Sequence, residues 1–359
     1  MTPTVMIVAG GTGGHVYPGL AVAADLRAQG VALHGGGTAR GVAARVGPAA
    51  GGPFSTIPVS GLRRGGFARW LAAPWTVALA VGAAIRAILR VRPQVVLGMG
   101  GFVSGPGGVA AWLCRRPLVI HEQNAIPGLT NRLLARIAAR VLEAFPGSFP
   151  AKVGAVVTGN PVRGAIAGIA APAARLTARS SHRVLVFGGS RGAHALNALV
   201  PAALAASGMR GLSVRHQCGA DAAPTTRARY AAAGDRIAAE VEPYIEDMAA
   251  AYAWADLVIA RAGAITIAEL TACGVAAILI PFPYAVDDHQ TRNARVLADH
   301  GAALLLPERE LEAASLGRQV ARLLGDRALL LEMAERARDL ARPHATQDVA
   351  RHCLELIRA

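Results

Sequence analysis

Apolar runs four to six residues long, each closed by glycine or a turn residue, recur along the chain and alternate with Ala/Leu/Arg stretches of helical period. Two of these runs share one pattern. Val5-Met-Ile-Val-Ala-Gly-Gly-Thr-Gly-Gly-His15 and Val184-Leu-Val-Phe-Gly-Gly-Ser-Arg-Gly-Ala193 each place a short apolar strand ahead of a glycine turn and a helix start. An open parallel α/β sheet begins this way, with a helix N-terminus at the strand's C-terminal end able to receive phosphate. Further strands are predicted at Gln94 to Met99, Pro117 to His121, Val153 to Thr158, Leu212 to Gln217, Asp256 to Ala260 and Ala276 to Pro281. Alternation of this kind implies βαβ crossovers. The pattern breaks at Thr158-Gly-Asn-Pro-Val-Arg163, and the Ala/Pro-rich stretch to Ser181 reads as a connection. The prediction is an α/β protein of two Rossmann-like domains, 1–160 and 161–342.

One apolar stretch is not a strand. Trp70 to Ile85 carries no charge, with Arg63, Arg64 and Arg69 before it and Arg86, Arg90 and Arg92 after it. It is shorter than the about 20 residues of a spanning helix and contains Pro74. A buried helix and a helix lying on a membrane surface fit it equally. Charge weights the second reading. Residues 1–160 hold 15 basic side chains and only Asp25, Glu122 and Glu143, whereas 161–359 hold 22 basic and 20 acidic ones. The first half therefore meets the anionic partner, a bilayer surface or nucleic acid. Nucleic acid lacks support, since no aromatics interleave with the basic residues and no binding motif is present. Cys114, Cys218, Cys273 and Cys353 are too scattered for a disulfide framework or zinc site, and Met1-Thr-Pro-Thr leads into a strand without signal-peptide features. A reducing cytosol is expected.

Candidate chemistry sits after the strands. His15 follows Gly10, Gly11, Gly13 and Gly14, where a neutral imidazole can take a proton from an attacking hydroxyl; a backbone-bonded histidine is the bland alternative. Gly98 to Gly108 is a second glycine-dense loop, and His121-Glu-Gln-Asn124 follows the next strand, able to bind a sugar or diphosphate or simply to cap a loop. In the second half, Arg261-Ala-Gly-Ala-Ile-Thr-Ile-Ala-Glu269 turns from a strand into a helix. Glu269 can accept from ribose hydroxyls, yet Thr266 and Glu269 also have capping-box spacing. Asp287, Asp288, His289, Gln290 and Asn293 crowd the loop after another strand and suit sugar hydroxyls.

Five segments in order, GGTGGHVYPGLAVA, VVLGMGGFVSGPGG, HEQNAIPGLTNR, GNPVR and DDHQTRNA, together resemble the MurG family of GT-B glycosyltransferases, family 28, over nearly the whole chain. The resemblance implies two Rossmann-like domains facing across a cleft, with the terminal helix, about 343–359, returning to the first. It implies inverting transfer of N-acetylglucosamine from UDP-GlcNAc to the 4-hydroxyl of the muramyl sugar of lipid I, giving lipid II, at the cytoplasmic face of the bacterial inner membrane. No metal or other cofactor is implied. Thr12, Gly13, Gly14 and Asn124 would line the acceptor side, with His15 the candidate base and Glu122 a second catalytic candidate. Arg163, Ser190, Ile245, Ala264, Ile265, Thr266, Ile267, Ala268, Glu269 and Gln290 would hold the nucleotide sugar, Ile245 through its backbone. Arg191, Ala262 and Tyr284 depart from the family pattern, as does Gly41-Val-Ala-Ala-Arg45, which lacks a usual Glu. A GT-B enzyme with another lipid or natural-product acceptor, or a related protein without full activity, are the rival readings.

Overall fold

The computed structural model describes residues 2–11, 13–38, 53–58, 73–176, 182–189 and 192–358. Thr12, the 41–45 segment, Arg63, Arg64, Arg69, Trp70, Ser190 and Arg191 lie outside them. The chain divides into two compact units, Met1–Arg163 with His344–Ala359, and Gly164–Pro343.

In the first unit, β1 (Thr4–Val8), β2 (Ala32–Gly37), β3 (Phe54–Thr56), β4 (Val95–Gly98), β5 (Leu118–Glu122), β6 (Arg140–Glu143) and β7 (Val156–Val157) form one sheet in the order β3-β2-β1-β4-β5-β6-β7. Every pairing is parallel. A parallel sheet is covered on both faces, which is why its central strands β1 and β4 read as nearly continuous apolar runs. Alternate side chains of β1 serve the two faces. Val5 and Ile7 join a core with Val22 and Leu26 of α1 (Gly13–Ala28), while Met6 and Val8 join one with Ala80, Ala84 and Ile88 of α2 (Ala73–Val91) and Ala110 and Ala111 of α3 (Ser104–Leu113). The short α4 (Leu129–Leu134) follows β5.

The second unit repeats the plan. Strands β8 (His182–Phe187), β9 (Leu212–Gln217), β10 (Ile237–Glu242), β11 (Leu257–Ala260), β12 (Ala276–Leu279) and β13 (Ala303–Leu305) run parallel in the order β10-β9-β8-β11-β12-β13. Its helices are α5 (Gly164–Ala167), α6 (Pro172–Leu176), α7 (His194–Ala206), α8 (Ala223–Ala232), α9 (Met248–Trp254), α10 (Ala264–Cys273), α11 (His289–Ala298), α12 (Ala313–Gly325) and α13 (Arg327–Asp339). The last helix, α14 (Ala345–Arg358), belongs to the first unit, where Val349, Ala350 and Cys353 enter the core that contains α1.

The stretch read from sequence as a plain connection contributes to the second unit's packing instead. Ile166 and Leu176 are buried, and the Arg175 guanidinium, itself buried, donates to the carbonyls of Ala170 at 2.9 Å, Cys273 at 2.9 Å and Gly274. Those last two carbonyls close α10, so a buried cation meets the negative end of a helix.

Two buried histidines make stability depend on pH. His121 and His216 are fully buried, and burial lowers each pKa to about 4. His216 is held neutral between the Tyr230 hydroxyl at 2.9 Å and Asn197 Oδ1 at 3.1 Å. An unfolded histidine titrates near 6.5, so between there and about 4 the unfolded chain binds more protons than the folded one. Stability is therefore full above the unfolded value and falls as pH drops, by up to about 1.4 kcal/mol per pH unit for each group. Denaturant midpoints taken from pH 7 to pH 4.5 should fall in wild type and fall less steeply in His216→Leu. Equal pH slopes would remove His216 from the account.

Candidate active site

In both sheets the strand order reverses at one place, between β1 and β4 in the first unit and between β8 and β11 in the second. Ligands of open α/β sheets bind beyond the strand C-termini at such a point. The two glycine turns lie there, at the ends of β1 and β8.

In the first unit the loops after β1, β4 and β5 converge. Ser104 Oγ lies 3.0 Å from Val8 O and 2.7 Å from Gly100 O, tying the ends of β1 and β4 together. Gly100 and Gly101 both have left-handed φ, +87° and +79°. A Cβ on Gly101 would sit 2.2 Å from the Gly10 carbonyl oxygen, and one on Gly100 would sit 2.9 Å from His15 Nδ1. Only glycine allows this approach. Gly13, Gly14 and His15 form the first turn of α1, whose unpaired N–H groups face the same end of the sheet. His15 Nδ1 is 2.8 Å from Gln123 Oε1, Gln123 Nε2 is 3.0 Å from His121 Nδ1, and His121 Nε2 is 2.9 Å from Gly159 O. The described residues offer His15 Nε2 no hydrogen-bond partner.

Glu122 is not hydrogen-bonded into this line. It is buried, and its Oε1 accepts from Asn124 N and Nδ2 while its Oε2 accepts from Gly128 N and Asn131 Nδ2, at 2.9 to 3.2 Å. Four donors from its own loop and from α4 occupy the carboxylate, which braces the segment that carries Gln123 and Asn124. Arg163 stands in the first unit, its guanidinium 4.9 Å from the centre of the Tyr17 ring.

In the second unit Gly192 has φ +72°, and a Cβ there would lie 1.9 Å from Cys218 O, so the turn after β8 needs glycine. Gly192→Ala is expected to lower stability by at least about 1 kcal/mol through left-handed strain alone, measurable as a denaturant midpoint shift. An unchanged midpoint would show that the turn adopts another path. Ala264, Ile265, Thr266, Ile267, Ala268 and Glu269 make up the first half of α10, which follows β11 with Gly263 as N-cap. Thr266 lies within that helix and not ahead of it, so the capping-box reading of Thr266 and Glu269 fails. Glu269 is buried and accepts from the Tyr252 hydroxyl at 3.1 Å. Ile245, in the loop after β10, is buried.

Arg261, which sequence placed at the head of this motif, clamps the scaffold. It donates to Ile280 O and Pro281 O at 3.1 Å and pairs with Glu308. Asn293 holds the same turn through Ala262 O at 3.2 Å. Gln290 accepts from Phe282 N at 2.9 Å, leaving its amide NH2 as the donor end. Asp287 and Asp288 both take left-handed φ, +53° and +50°, just before α11, with exposed Phe282 and Tyr284 ahead of them in an edge-to-face pair. No group of three His, Cys, Asp or Glu side chains with metal-binding geometry occurs among the described residues.

On another face of the first unit, α2 presents Trp75, Leu79, Arg86, Leu89 and Arg90 to solvent at helical spacing, with Trp75 72% exposed, while Ala80, Ala84, Ala87 and Ile88 face the core. Pro74–Val91 has the length and apolarity of a membrane-crossing segment, yet its small-residue side is packed on α3. Exposed Trp112 and Leu113 at the end of α3, followed by Arg115 and Arg116, extend the apolar surface.

Two Rossmann-like parallel-sheet domains, each with a glycine turn at its switch point, define a GT-B glycosyltransferase. The chain belongs to glycosyltransferase family 28: residues 5–143 match the family's N-terminal domain and residues 183–349 its C-terminal domain. It is 54% identical over 357 residues, 99% of each chain, to the UDP-N-acetylglucosamine–N-acetylmuramyl-(pentapeptide) pyrophosphoryl-undecaprenol N-acetylglucosamine transferase of Alkalilimnicola ehrlichii. The protein of that name from Nitrosococcus oceani is 52% identical, again over 99% of each chain. The crystal structure of Acinetobacter baumannii MurG is similar with a TM-score of 0.83 at 39% identity, covering 99% of this chain and 100% of that one.

Proposed function

We propose that this protein transfers N-acetylglucosamine from UDP-GlcNAc to the 4-hydroxyl of the muramyl sugar of lipid I, with inversion, producing lipid II and UDP for peptidoglycan synthesis. The observation that carries the reading is full-length likeness, above half identity, to relatives named for that transfer. The geometry supports the same chemistry. The acceptor oxygen attacks C1 of the sugar in line as the C1–O bond to UDP breaks, and His15 Nε2 takes the hydroxyl proton. Gly13, Gly14 and Asn124, with Thr12, line the acceptor side in this reading. The diphosphate rests at the N-terminus of α10 and the glycine turn after β8, where backbone N–H groups meet the growing negative charge. Glu269 takes the ribose, the Ile245 backbone the uracil, and the Gln290 NH2 the sugar hydroxyls. Ser190 belongs to the donor side and Arg163, stacked on Tyr17, borders the reacting sugar. The scheme requires no metal.

UDP release measured with and without lipid I tests the assignment. Release that depends on both UDP-GlcNAc and lipid I is expected. Turnover of the donor with other lipid or natural-product acceptors but not with lipid I would move the chain to a different GT-B activity.

The same reading places the protein on the cytoplasmic face of the inner membrane as a peripheral enzyme, docked through the exposed stripe of α2 and the end of α3. Each Arg near an anionic surface contributes about 1 kcal/mol, screened by salt. Sedimentation with vesicles rich in anionic lipid should drop by more than about tenfold in partition when Arg86, Arg90 and Arg116 become Gln. Equal sedimentation of variant and wild type would reject this docking face.

A further inference from the structure

We propose that Gln123 and His121 are positioning residues that set the tautomer of His15, so that its Nε2 presents a lone pair and its Nδ1 carries the proton. The proposal rests on the reading of His15 as the base and adds the groups that prepare it.

The assignment starts from the one partner whose role is unambiguous. A backbone carbonyl only accepts, so the His121 nitrogen 2.9 Å from Gly159 O must carry a proton. His121 is fully buried and its pKa is lowered to about 4, mainly by loss of solvent, so the ring is neutral at any pH near 7. With Nε2 protonated, its Nδ1 is an acceptor. The group 3.0 Å away must donate, which makes it the NH2 end of Gln123. The same NH2 also lies 3.2 Å from the His121 carbonyl, a second acceptor that demands the same amide orientation. The other end of the amide is therefore the oxygen, and it faces His15 Nδ1 at 2.8 Å. An amide oxygen only accepts, so His15 Nδ1 bears hydrogen. In a neutral ring the remaining nitrogen, Nε2, is then unprotonated. A base needs that nitrogen in that state.

The scaffold holds each link. Asn160 Nδ2 donates to the Gln123 carbonyl at 3.0 Å, and Asn131 Nδ2 donates to the His121 carbonyl at 3.1 Å. Gln123 is 1% exposed, so water does not compete for its amide. The absence of a Cβ at Gly100 keeps the space beside His15 Nδ1 and Gln123 Oε1 open, for a Cβ there would sit 2.9 Å from the first and 3.2 Å from the second. Glu122, between the two relay residues in sequence, keeps its carboxylate turned into its own loop and away from the relay. A neutral amide thus does for His15 what a carboxylate does in a Ser-His-Asp triad, without adding a charge of its own.

The test is the protonation pattern of the histidine rings, read by long-range proton–nitrogen correlation on the full-length 15N-labelled protein near pH 7.5, with rings assigned from His15→Gln and His121→Phe. Wild type should show His15 protonated at Nδ1 and bare at Nε2, and His121 the reverse. In Gln123→Met, which keeps side-chain length but removes both hydrogen-bonding ends, His15 should populate both tautomers. Its kcat should fall by at least about tenfold with KM for UDP-GlcNAc unchanged, since a mis-set tautomer lowers turnover and not donor binding. His15 found protonated at Nε2 in wild type would overturn the proposal with no variant needed. So would Gln123→Met with the wild-type tautomer and kcat. Full turnover by His15→Gln would instead sink the reading of His15 as base, a failure recognisable because the tautomer would still follow Gln123.

Discussion

Replacing His15 with Gln is expected to lower kcat for N-acetylglucosamine transfer by about 10²- to 10⁴-fold, the usual contribution of a positioned general base. UDP-GlcNAc affinity should stay close to wild type. Apart from Arg163, the described residues read as the donor site belong to the second unit, whereas His15 stands on α1 of the first. His15 is anchored through Nδ1 to Gln123 Oε1 at 2.8 Å, so a Gln in its place loses the ring nitrogen that takes the proton while helix and turn persist. Steady-state UDP release with saturating lipid I, set beside calorimetric titration of UDP-GlcNAc, separates the two quantities. A kcat within about threefold of wild type would leave deprotonation to water or substrate and remove His15 from the chemistry.

Glu269→Gln is expected to weaken UDP-GlcNAc binding by about 1 to 1.5 kcal/mol, a loss of about 5- to 12-fold, because a charge-assisted bond to a ribose hydroxyl is replaced by a neutral one. Glutamine is the informative substitution here. Glu269→Ala would also strip the buried Tyr252 hydroxyl of its carboxylate partner at 3.1 Å and add about 1 to 3 kcal/mol of folding cost. The amide oxygen of Gln keeps that bond, so the melting temperature should move little while the titration changes. Tyr252→Phe completes the comparison, since it removes the internal bond and leaves the carboxylate. Should Glu269→Gln melt well below wild type and bind UDP-GlcNAc equally, Glu269 would be a packing residue of α10 and no part of the donor site.

The alternation of apolar runs with helical stretches was enough to place β1, β4, β5, β8, β11 and β12, because strands covered on both faces are mostly apolar; Leu212 to Gln217 is β9 although its polar residues alternate, and Val153 to Thr158 holds only the two-residue β7 after a short 3-10 turn. The same rule hid β2. Ala32–Gly37 ends in three glycines, and its place in the sheet comes from neighbours that leave no room for side chains: a Cβ on Gly35 would lie 2.6 Å from Phe54, and one on Gly36 would lie 3.1 Å from Met6. It also hid β10, whose Ile237-Ala-Ala-Glu-Val-Glu242 puts charge on an edge strand. Apolarity and length described α2 without saying how it lies. Its alanines turn inward and its tryptophan and arginines outward, so one helix serves both as core and as surface.

Within the candidate site, the glycine turns and His15 stand out in the sequence because they follow an apolar strand directly, and Glu269 because it is an acidic residue in the helix after β11. Glu122 and Gln123 are adjacent in a polar loop and have equal standing as letters; only the fold turns one carboxylate inward onto four donors and hands the neighbouring amide to His15, 108 positions away. Arg175 and Arg261 were likewise placed in a linker and at the head of a phosphate turn, and the structure engages both with carbonyls that lie distant in sequence. Sequence by itself marked most of the buried strands, the turns where backbone must approach closely, and the side chains of a type able to exchange protons, since these follow from local chemistry. Tertiary structure alone decided which polar groups meet, because hydrogen-bond partners from separate loops are brought within 3 Å only when parallel strands align their C-terminal ends.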